Sequence, residues 1–215
     1  MRLGALARAL LPAPVAGRLR DWRADRRAAR ELAAYAARPT IPPPHAVKVA
    51  IVTDYARRHG LTLLIETGTF EGEMARRCRH AFREIVTLEL DPGLAARAAR
   101  RLSRFANIRV VQGDSATRLR ELLRAVREPA LFWLDGHYSG PGTARGASDT
   151  PLASELQSIA AHPVHGHVVL IDDARELGRG DYPTLADIER WVRAGDPAAR
   201  VEVGEDIVRC TPGRG

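Results

Sequence analysis

The amino-acid sequence predicts an α/β fold: a doubly wound, mostly parallel seven-stranded sheet with a C-terminal antiparallel hairpin and an N-terminal helical arm. Five apolar runs alternate with helical patterns from residue 46 onward, and this alternation requires crossover connections between parallel strands. The runs are apolar over most of their length, as expected of strands that helices cover on both faces. Two short strands near the C-terminus, separated by three residues, complete the sheet as a hairpin.

We expect residues 1–44 to form the arm and residues 45–215 to form one domain, because a chain of 215 residues can bury one sizeable core. In the arm, Leu19 to Ala37 is typical of a charged helix, and the proline-rich segment 39–44 ends it because proline lacks a backbone donor. The predicted elements of the domain are, in order, a helix at 46–59, a strand at 61–66, a helix at 72–81, a strand at 84–90, a helix at 92–102, a strand at 108–112, a helix at 115–126, a strand at 130–134, a helix at 151–161, a strand at 167–171, a helix at 184–194, and strands at 200–203 and 207–210.

The positive charge of the chain is concentrated in the arm. The net charge is +7, and residues 1–38 hold nine arginines against three acidic residues. The rest of the chain has 24 basic and 23 acidic residues, which argues against a nucleic-acid partner for the domain. Four roles of the arm stay open: docking on the domain, binding a partner or an anionic membrane surface, pairing two copies in a homo-oligomer, and a solvated extension.

The remaining composition favours a cytoplasmic protein. No apolar run approaches the roughly 20 residues that a membrane-spanning helix needs, so no transmembrane segment is expected. Prolines interrupt the apolar N-terminus, which argues against a secretory signal. Cys78 and Cys210 match no metal-binding spacing, and we expect them to be buried, reduced thiols.

The most informative stretch follows the first predicted strand. Glu66, Gly68 and Gly72 form a Glu-x-Gly-x-x-x-Gly pattern before a helix, where glycine permits positive φ and close approach of a ligand. The spacing differs from the Gly-x-Gly-x-x-Gly of dinucleotide-binding turns, and no Lys-Ser/Thr pair follows as in phosphate-binding loops. An acidic residue here favours a ligand with a cationic end. S-adenosylmethionine, which carries an ammonium and a sulfonium group, meets that requirement.

The ends of the next two strands carry matching signals. Glu89 follows the first glycine of the turn by 21 positions, close to the offset at which a carboxylate binds ribose hydroxyls. At the next strand end, Asp114 and Ser115 could bind an adenine amino group and ring nitrogen. A second interpretation is local: Glu66, Asp91 and Asp114 could instead cap helices. The proline after Asp91 favours the capping role for that residue.

Taken together, the three strand ends resemble a known family. The Glu-x-Gly-x-x-x-Gly turn, the Thr-x-Glu-x-Asp end of the second strand and the Gly-Asp-Ser end of the third are similar to the first three motifs of class I S-adenosylmethionine-dependent methyltransferases, over about residues 46–211. The resemblance implies a Rossmann-like sheet and S-adenosylmethionine as cofactor. The cofactor-binding residues that it implies are Glu66, Gly68, Thr69, Gly72, Glu89, Asp114 and Ser115.

Three more carboxylates indicate a metal site. Asp135, Asp172 and Asp173 end neighbouring predicted strands on the binding edge, where they would repel one another without a cation between them. Oxygen ligands in this number suit Mg²⁺ or a similar divalent ion. Such an ion could bind substrate hydroxyls and lower the pKa of one of them. The local alternative is that these aspartates cap turns and satisfy loop amides.

The arrangement is similar to metal-dependent O-methyltransferases of the catechol and macrocin types. In the macrocin type the fourth strand ends in Asp-Gly-Asp, whose first carboxylate binds metal and whose second acts as a base. This chain has Asp135-Gly136-His137, so the resemblance implies Asp135 as a catalytic metal ligand and places an imidazole at the base position. His137 could serve as the general base, as a fourth ligand, or as a residue that orders the loop at 136–150.

The sequence therefore predicts an S-adenosylmethionine-dependent methyltransferase that methylates a hydroxyl of a small acceptor, a sugar or a polyphenol, with a divalent metal. The alternatives are an RNA methyltransferase that uses the basic arm, and a non-catalytic interaction protein that retains the fold. We expect the loop at 136–150 to act as a lid. His162, His165 and His167 precede the fifth predicted strand, at the opposite edge, and are expected to be surface residues.

Overall fold

The computed structural model describes residues 13–136 and 150–213, and within these ranges the side chains of residue 24 and of residues 26 onward. The chain divides into two compact units, residues 1–48 and residues 49–215. The first unit contains helix α1, Ala13–Ala37. The division falls within helix α2, His45–His59. All strands of the described chain belong to the second unit.

The second unit alternates strands and helices as the sequence predicts. After α2 the elements follow in the order β1 (Leu63–Thr67), α3 (Glu73–Cys78), β2 (Glu84–Glu89), α4 (Pro92–Leu102), β3 (Ile108–Gln112), α5 (Ser115–Leu123), β4 (Leu131–Leu134), α6 (Leu152–Ala160), β5 (Val168–Ile171), α7 (Leu185–Gly195), β6 (Arg200–Gly204) and β7 (Ile207–Thr211). A single 3₁₀ turn, Ala174–Glu176, separates β5 from α7 in the described chain.

The strands form one seven-stranded sheet in the order β3-β2-β1-β4-β5-β7-β6. Strands β1 to β5 pair in parallel, and β7 pairs antiparallel with both β5 and β6. The strand order reverses between β1 and β4, and in open α/β sheets this reversal opens a crevice beyond the carboxyl ends of the two strands. The doubly wound, Rossmann-like sheet with its C-terminal hairpin is thus confirmed.

The core lies on both faces of the sheet. On one face, side chains of β1, β2, β4 and β5 pack against α5, α6 and α7. On the other face, the alternate side chains of these strands pack against α2, α3 and α4. Along β1, Ile65 faces the first layer and Leu64 the second, because successive side chains of a strand point to opposite faces.

Three helix boundaries differ from the sequence prediction by three residues or more, and one of them is the end of α5, at Leu123 instead of residue 126. Helix α1 begins at Ala13 instead of residue 19, with Pro14 in the first turn, where a missing N–H costs no helical hydrogen bond. Helix α3 ends at Cys78 instead of residue 81. The side-chain amide of Asn107 binds the carbonyls of Arg79 (2.8 Å) and Phe82 (3.0 Å), and these bonds hold the chain in a turn there.

Two other expectations can be compared with the structure. Cys78 and Cys210 are both buried free thiols, as predicted. No helix within the described ranges combines the length and the apolarity needed to cross a bilayer.

Candidate active site

The crevice at the switch between β1 and β4 brings the turn after β1 against the end of β4. Gly68 has φ +85°, and a Cβ built on it would lie 2.3 Å from the carbonyl oxygen of Asp135. Any side chain at this position would therefore collide with backbone, so both the conformation and the space require glycine. Asp135 is itself fixed in the sheet, because its N–H donates to the carbonyl of Thr67 at 3.1 Å.

The turn after β1 is held by the end of β2. The N–H groups of Gly68 and Thr69 donate to the carbonyl of Leu88 at 3.0 and 3.1 Å, and the Thr69 hydroxyl bonds to that of Thr87 at 2.6 Å. The hydroxyl and backbone groups of Thr69 are thus engaged within the protein. Gly72 has φ +70° and is the N-cap of α3, where it gives no side-chain hydrogen bond to the first N–H groups of the helix.

Phe70 is the unusual residue of this turn. Its φ of +47° is rarely adopted by an aromatic residue, and its side chain is 54% exposed. The N–H of Phe70 donates to Glu89 Oε2 at 2.7 Å, which stabilises the strained backbone. An exposed phenyl ring therefore stands at the rim of the crevice.

Glu66 is a buried carboxyl group with an unused oxygen. It is 2% exposed, and its Oε2 has no hydrogen-bond partner among the described residues. Burial raises the pKa of Glu66 to about 8, the Thr87 hydroxyl opposes that rise, and the nearby carboxylates of Asp135 and Glu89 add to it. An unpaired acceptor this deep costs free energy unless a donor or cation arrives. The site is thus suited to a cationic ligand group.

Glu89, at the end of β2, is fixed in place by two backbone amides. Its Oε2 accepts from Phe70 N at 2.7 Å, and its Oε1 accepts from Asp91 N at 3.0 Å. A carboxylate has about four acceptor positions, so each oxygen retains capacity for a ligand hydroxyl. Asp91 itself is the N-cap of α4 and accepts from Leu94 N at 2.7 Å, which confirms the capping role predicted for it.

Asp114 and Ser115 lie where β3 meets α5. Asp114 is the N-cap of α5, with its Oδ1 accepting from Ala116 N at 2.9 Å, so the local interpretation of this residue holds in the structure. The same carboxylate keeps a second oxygen at the edge of the sheet. Ser115 is buried and faces a residue that sequence reasoning missed, Glu155 of α6.

Glu155 is a second buried carboxyl group beneath the crevice. It is 1% exposed, and its Oε1 has no partner among the described residues. Burial raises its pKa to about 7, while the hydroxyls of Ser115 and Thr67 oppose the rise and Asp114 adds to it. The sequence gives only a weak signal for it: a glutamate in the first turn of a helix that is otherwise apolar on one face.

The three aspartates predicted as metal ligands come together in the structure. One carboxylate oxygen from each of Asp135, Asp172 and Asp173 lies within 4.8 Å of the others. Asp172 and Asp173 are buried, and Asp135 is half-buried. Asp173 has φ +57°, and its N–H donates to Asp172 Oδ1 at 2.9 Å. This left-handed residue turns the chain back, so that two consecutive side chains share one site.

Two further residues contact or approach this cluster, and sequence reasoning missed both. The guanidinium of Arg175 donates from Nη1 to Asp173 Oδ1 at 2.6 Å and also to the carboxylate of Asp206. The pKa of the Tyr182 hydroxyl is raised, first by burial and then by the charges of Asp173, Glu176 and Asp135. A phenol therefore borders the carboxylates. No sequence signal at 175, 182 or 206 indicates this proximity.

His137 and most of the loop at 136–150 fall outside the described residues, so its roles as base, ligand or loop-ordering residue stay predictions, as does the lid. At the ends of the loop, a Cβ built on Gly136 would lie 3.5 Å from Pro151 Cγ. The loop therefore leaves and re-enters the domain at neighbouring points. The first of these points, Gly136, adjoins Thr67 at the end of β1.

The expectation that the three histidines are surface residues is wrong for two of them. His162 is buried, and its Nδ1 lies 3.0 Å from Nε2 of His167. Ala130 N–H donates to His167 Nδ1 at 3.0 Å, and His162 Nε2 lies 2.9 Å from the carbonyl oxygen of Leu123. Because the ends of this chain are a donor and an acceptor, both rings are neutral and protonated at Nε2. The pair joins four elements at the edge opposite the crevice, whereas His165 is exposed.

Acidic side chains recur along the ends of β2, β1, β4 and β5. They are Glu89, the buried Glu66 and the cluster of Asp135, Asp172 and Asp173. Acidic groups at this edge suit a positively charged ligand better than a pyrophosphate.

Comparison with known proteins agrees with this geometry. No protein-family model matches the sequence, and no curated protein matches it. Among solved structures, an O-methyltransferase from Bacillus cereus bound to S-adenosylhomocysteine matches with a TM-score of 0.57 and 16% identity, over 86% of this chain and 90% of that chain. TomG of Streptomyces achromogenes, an O-methyltransferase involved in tomaymycin synthesis and solved with S-adenosylmethionine, matches with a TM-score of 0.56 and 18% identity, over 86% and 89%.

A third match acts on a different kind of substrate. The 23S rRNA methyltransferase ErmE aligns with a TM-score of 0.50 and 19% identity, over 77% of this chain and 67% of that chain. At these identities the likeness extends to the fold alone. The chain therefore has the fold of the class I S-adenosylmethionine-dependent methyltransferases.

Proposed function

We propose that this chain is an S-adenosylmethionine-dependent methyltransferase that methylates a hydroxyl group of a small acceptor, a sugar or a polyphenol, with the help of a divalent cation. The observation that carries the proposal is the unpartnered, buried oxygen of Glu66 at the turn after β1. A carboxyl group kept there without a partner is compensated when a ligand brings an ammonium group to it.

The cofactor would lie across the ends of β1, β2 and β3. Glu66 accepts from the ammonium group, the glycine turn at 68–72 admits the ligand backbone closely, and Glu89 accepts from the ribose hydroxyls. Asp114 and Ser115 lie where the adenine would end. When bound, S-adenosylmethionine supplies an electrophilic methyl group on a positively charged sulfur.

The divalent cation would be held by Asp135, Asp172 and Asp173. Their oxygens fit an Mg²⁺-type ion in number and chemistry, because hard cations prefer carboxylate ligands. When bound, such an ion lowers the pKa of an acceptor hydroxyl and orients it. The protein contributes position, since the acceptor oxygen must approach the methyl group in line at about 3 Å.

We propose His137 as the general base, on the sequence argument alone. It stands two positions after Asp135 in the sequence, where the resemblance to the macrocin type places a base. The hydroxyl proton would pass to the imidazole as the oxygen attacks, and imidazole is suited to this near neutral pH. Tyr182 and the loop at 136–150 would then border the acceptor.

The proposal is tested by titrating the full-length protein with S-adenosylhomocysteine, with and without Mg²⁺. We expect binding at micromolar strength that is lost in Glu89→Ala and in Glu66→Gln. Absence of binding in either condition would contradict the cofactor assignment. Binding without methyl transfer to any hydroxylated acceptor would favour a non-catalytic protein that retains the fold.

The metal assignment needs its own comparison. Asp135→Asn should abolish divalent-dependent turnover while leaving affinity for S-adenosylhomocysteine within about threefold of the wild-type value. Asp54→Asn, which removes a carboxylate from the surface of α2, serves as the charge-matched control. Full activity of Asp135→Asn would contradict the metal assignment and leave the cofactor assignment standing.

RNA methylation is the second candidate function, and the charge of the arm favours it. Arg26, Arg27 and Arg30 of α1 are exposed, and Arg27 pairs with Glu31 at 2.7 Å. Salt-dependent RNA retention by the full chain, absent from a form lacking residues 1–44, would support this function.

Pairing of two copies through the arm is a separate proposal. In size-exclusion chromatography, elution of both the full chain and the form lacking residues 1–44 at volumes that correspond to their own monomer masses would contradict it.

A further inference from the structure

Asp206 holds the segment that follows β5. It lies in the turn between β6 and β7 with φ +62°, and its side chain is 2% exposed. Its backbone carbonyl accepts from Ala174 N at 2.8 Å, its Oδ1 accepts from Arg175 N at 2.8 Å, and its Oδ2 accepts from the guanidinium of Arg175. This one residue therefore fixes both the backbone and the side chain of the 3₁₀ turn.

The guanidinium held by Asp206 also reaches the aspartate cluster. The same nitrogen, Nη1 of Arg175, donates to Asp173 Oδ1 at 2.6 Å. Arg175 thus lies between a carboxylate of the cluster, Asp173, and a carboxylate outside it, Asp206. Three carboxylates within 4.8 Å of each other repel, and Arg175 brings a positive charge into direct contact with one of them.

We infer that Arg175 is the resident counter-ion of the cluster, and that Asp206 sets how strongly Arg175 competes with a divalent cation for Asp173. The inference rests on the divalent centre of the proposed function. Both residues act through Asp173 and are positioning residues. Because Asp206 also pairs with the guanidinium, the positive charge of Arg175 interacts less strongly with Asp173. The Asp173 carboxylate therefore stays available as a metal ligand.

The inference requires opposite effects from two substitutions. Arg175→Gln removes the competing charge while Asp206 still holds the backbone, so a divalent cation should bind more tightly. Asp206→Asn removes the anion that shares the guanidinium, so the charge of Arg175 falls on Asp173 and the cation should bind more weakly. A purely structural role predicts weaker binding in both variants, because each would displace Asp173.

The experiment is a Mn²⁺ titration of the full-length protein, with free Mn²⁺ followed by electron paramagnetic resonance. Arg175→Lys retains the charge at that position and separates charge from shape. Arg179→Gln is the matched control, since Arg179 is 70% exposed and lies 3.7 Å from Glu176 without contacting the cluster. Each protein is also titrated with S-adenosylhomocysteine, and its melting temperature is measured without metal.

We expect Arg175→Gln to bind Mn²⁺ at least about tenfold more tightly than the wild type, and Asp206→Asn about fivefold more weakly. Arg175→Lys and Arg179→Gln should stay within about threefold. Equal tightening by Arg175→Gln and Arg179→Gln would overturn the inference, as would weaker binding in both Arg175→Gln and Asp206→Asn. If Asp206→Asn fails to fold, the Gln and Lys variants at 175 decide the question.

The same titrations separate this inference from the proposal beneath it. Failure of the wild type to bind Mn²⁺ at millimolar concentration would overturn both the divalent centre and the role of Arg175. Binding by the wild type together with same-direction changes in the variants would overturn the role of Arg175 alone. The titrations with S-adenosylhomocysteine report independently on the cofactor site.

Discussion

Acidification should destabilise the folded chain through the hydrogen-bonded pair of the buried His162 and the half-buried His167. In the folded protein Ala130 N–H occupies the Nδ1 lone pair of His167, and His167 Nε2–H in turn occupies Nδ1 of His162. A further proton on either ring has no lone pair to occupy without breaking one of these bonds. Burial, together with the neighbouring His162 and the exposed His165, lowers the pKa of His167 from 6.5 to about 4.

The sign and the size of the effect follow from that shift. The pKa of His167 is lower in the folded state than in the unfolded state, so below pH 6.5 the unfolded chain binds more protons than the folded chain. The free energy of unfolding therefore decreases as the pH is lowered below 6.5. Between neutral pH and about pH 5 the shift corresponds to roughly 2 kcal/mol of unfolding free energy, from about 1.4 kcal/mol per pKa unit. Partial exposure of the His167 ring reduces this to about 1–2 kcal/mol.

The assay is urea denaturation from pH 5 to pH 8 of the wild type and of His167→Asn. Asparagine can accept from Ala130 N–H in place of Nδ1 and cannot be protonated, so the variant should lack the loss of stability at low pH. The quantity to compare at each pH is the difference in unfolding free energy between the wild type and His167→Asn. Both proteins also contain Glu66 and Glu155, whose raised pKa values (about 8 and about 7) make stability fall as the pH rises from about 4.5, and the difference removes this common effect.

The control is His165→Asn, which removes an exposed histidine two residues away and should retain most of the wild-type loss of stability at low pH, because burial is the main cause of the lowered pKa of His167. Parallel stability curves for the wild type and His167→Asn would refute the reasoning, as would an NMR titration that places the pKa of His167 above 6.5. The reasoning would also be refuted if His167→Asn lost more unfolding free energy than the wild type on going to pH 5, because the sign of the effect would then be reversed.

Three further outcomes are expected at the crevice. At pH 7 the wild type should release close to one proton on binding S-adenosylhomocysteine, because the ammonium group of that ligand ionises Glu66 with its pKa of about 8; titrations in buffers of different ionisation enthalpy measure this, and a binding enthalpy that does not depend on the buffer would contradict it. Gly68→Ala should lower the unfolding free energy, measured by urea denaturation, by at least about 2–3 kcal/mol and abolish cofactor binding, because its Cβ would lie 2.3 Å from the Asp135 carbonyl oxygen. The control is Gly60→Ala, where φ is +64° and no atom lies within 4 Å of the added Cβ. That variant should lose only about 1 kcal/mol of unfolding free energy. Thr184→Ala, which removes the capping box of α7, should cost about 1 kcal/mol without changing affinity for S-adenosylhomocysteine.

The order of elements and the sheet were accessible from the sequence because they depend on local signals. Apolar runs, glycines and prolines mark the strands and the turns between them, and parallel pairing follows from the alternation. The same logic placed Glu66, Glu89 and the three aspartates at one edge, since carboxyl ends of parallel strands share it. The convergence of the three aspartates within 4.8 Å was therefore predictable, although the ligand that they would hold was not.

Contacts between segments that are distant in the chain could not be predicted from the sequence. Arg175 and Asp206 are 31 residues apart, and Asp206 reaches Arg175 because β7 inserts between β5 and β6. Likewise, His162 and Leu123 meet through packing of α6 on α5, 39 residues apart in sequence. An isolated histidine or arginine in a loop has the same local pattern whether it is solvated or buried, so two of the three histidines, His162 and His167, were wrongly placed at the surface.

Gly68 has a consequence for how ligands would affect one another. The cofactor turn and the end of the strand that carries Asp135 touch backbone to backbone at this residue, with no side chain between them to absorb a shift. Movement of the turn on binding one ligand would displace the carbonyl next to the other ligand. By thermodynamic linkage, the factor by which Mn²⁺ changes the affinity for S-adenosylhomocysteine must equal the factor by which S-adenosylhomocysteine changes the affinity for Mn²⁺.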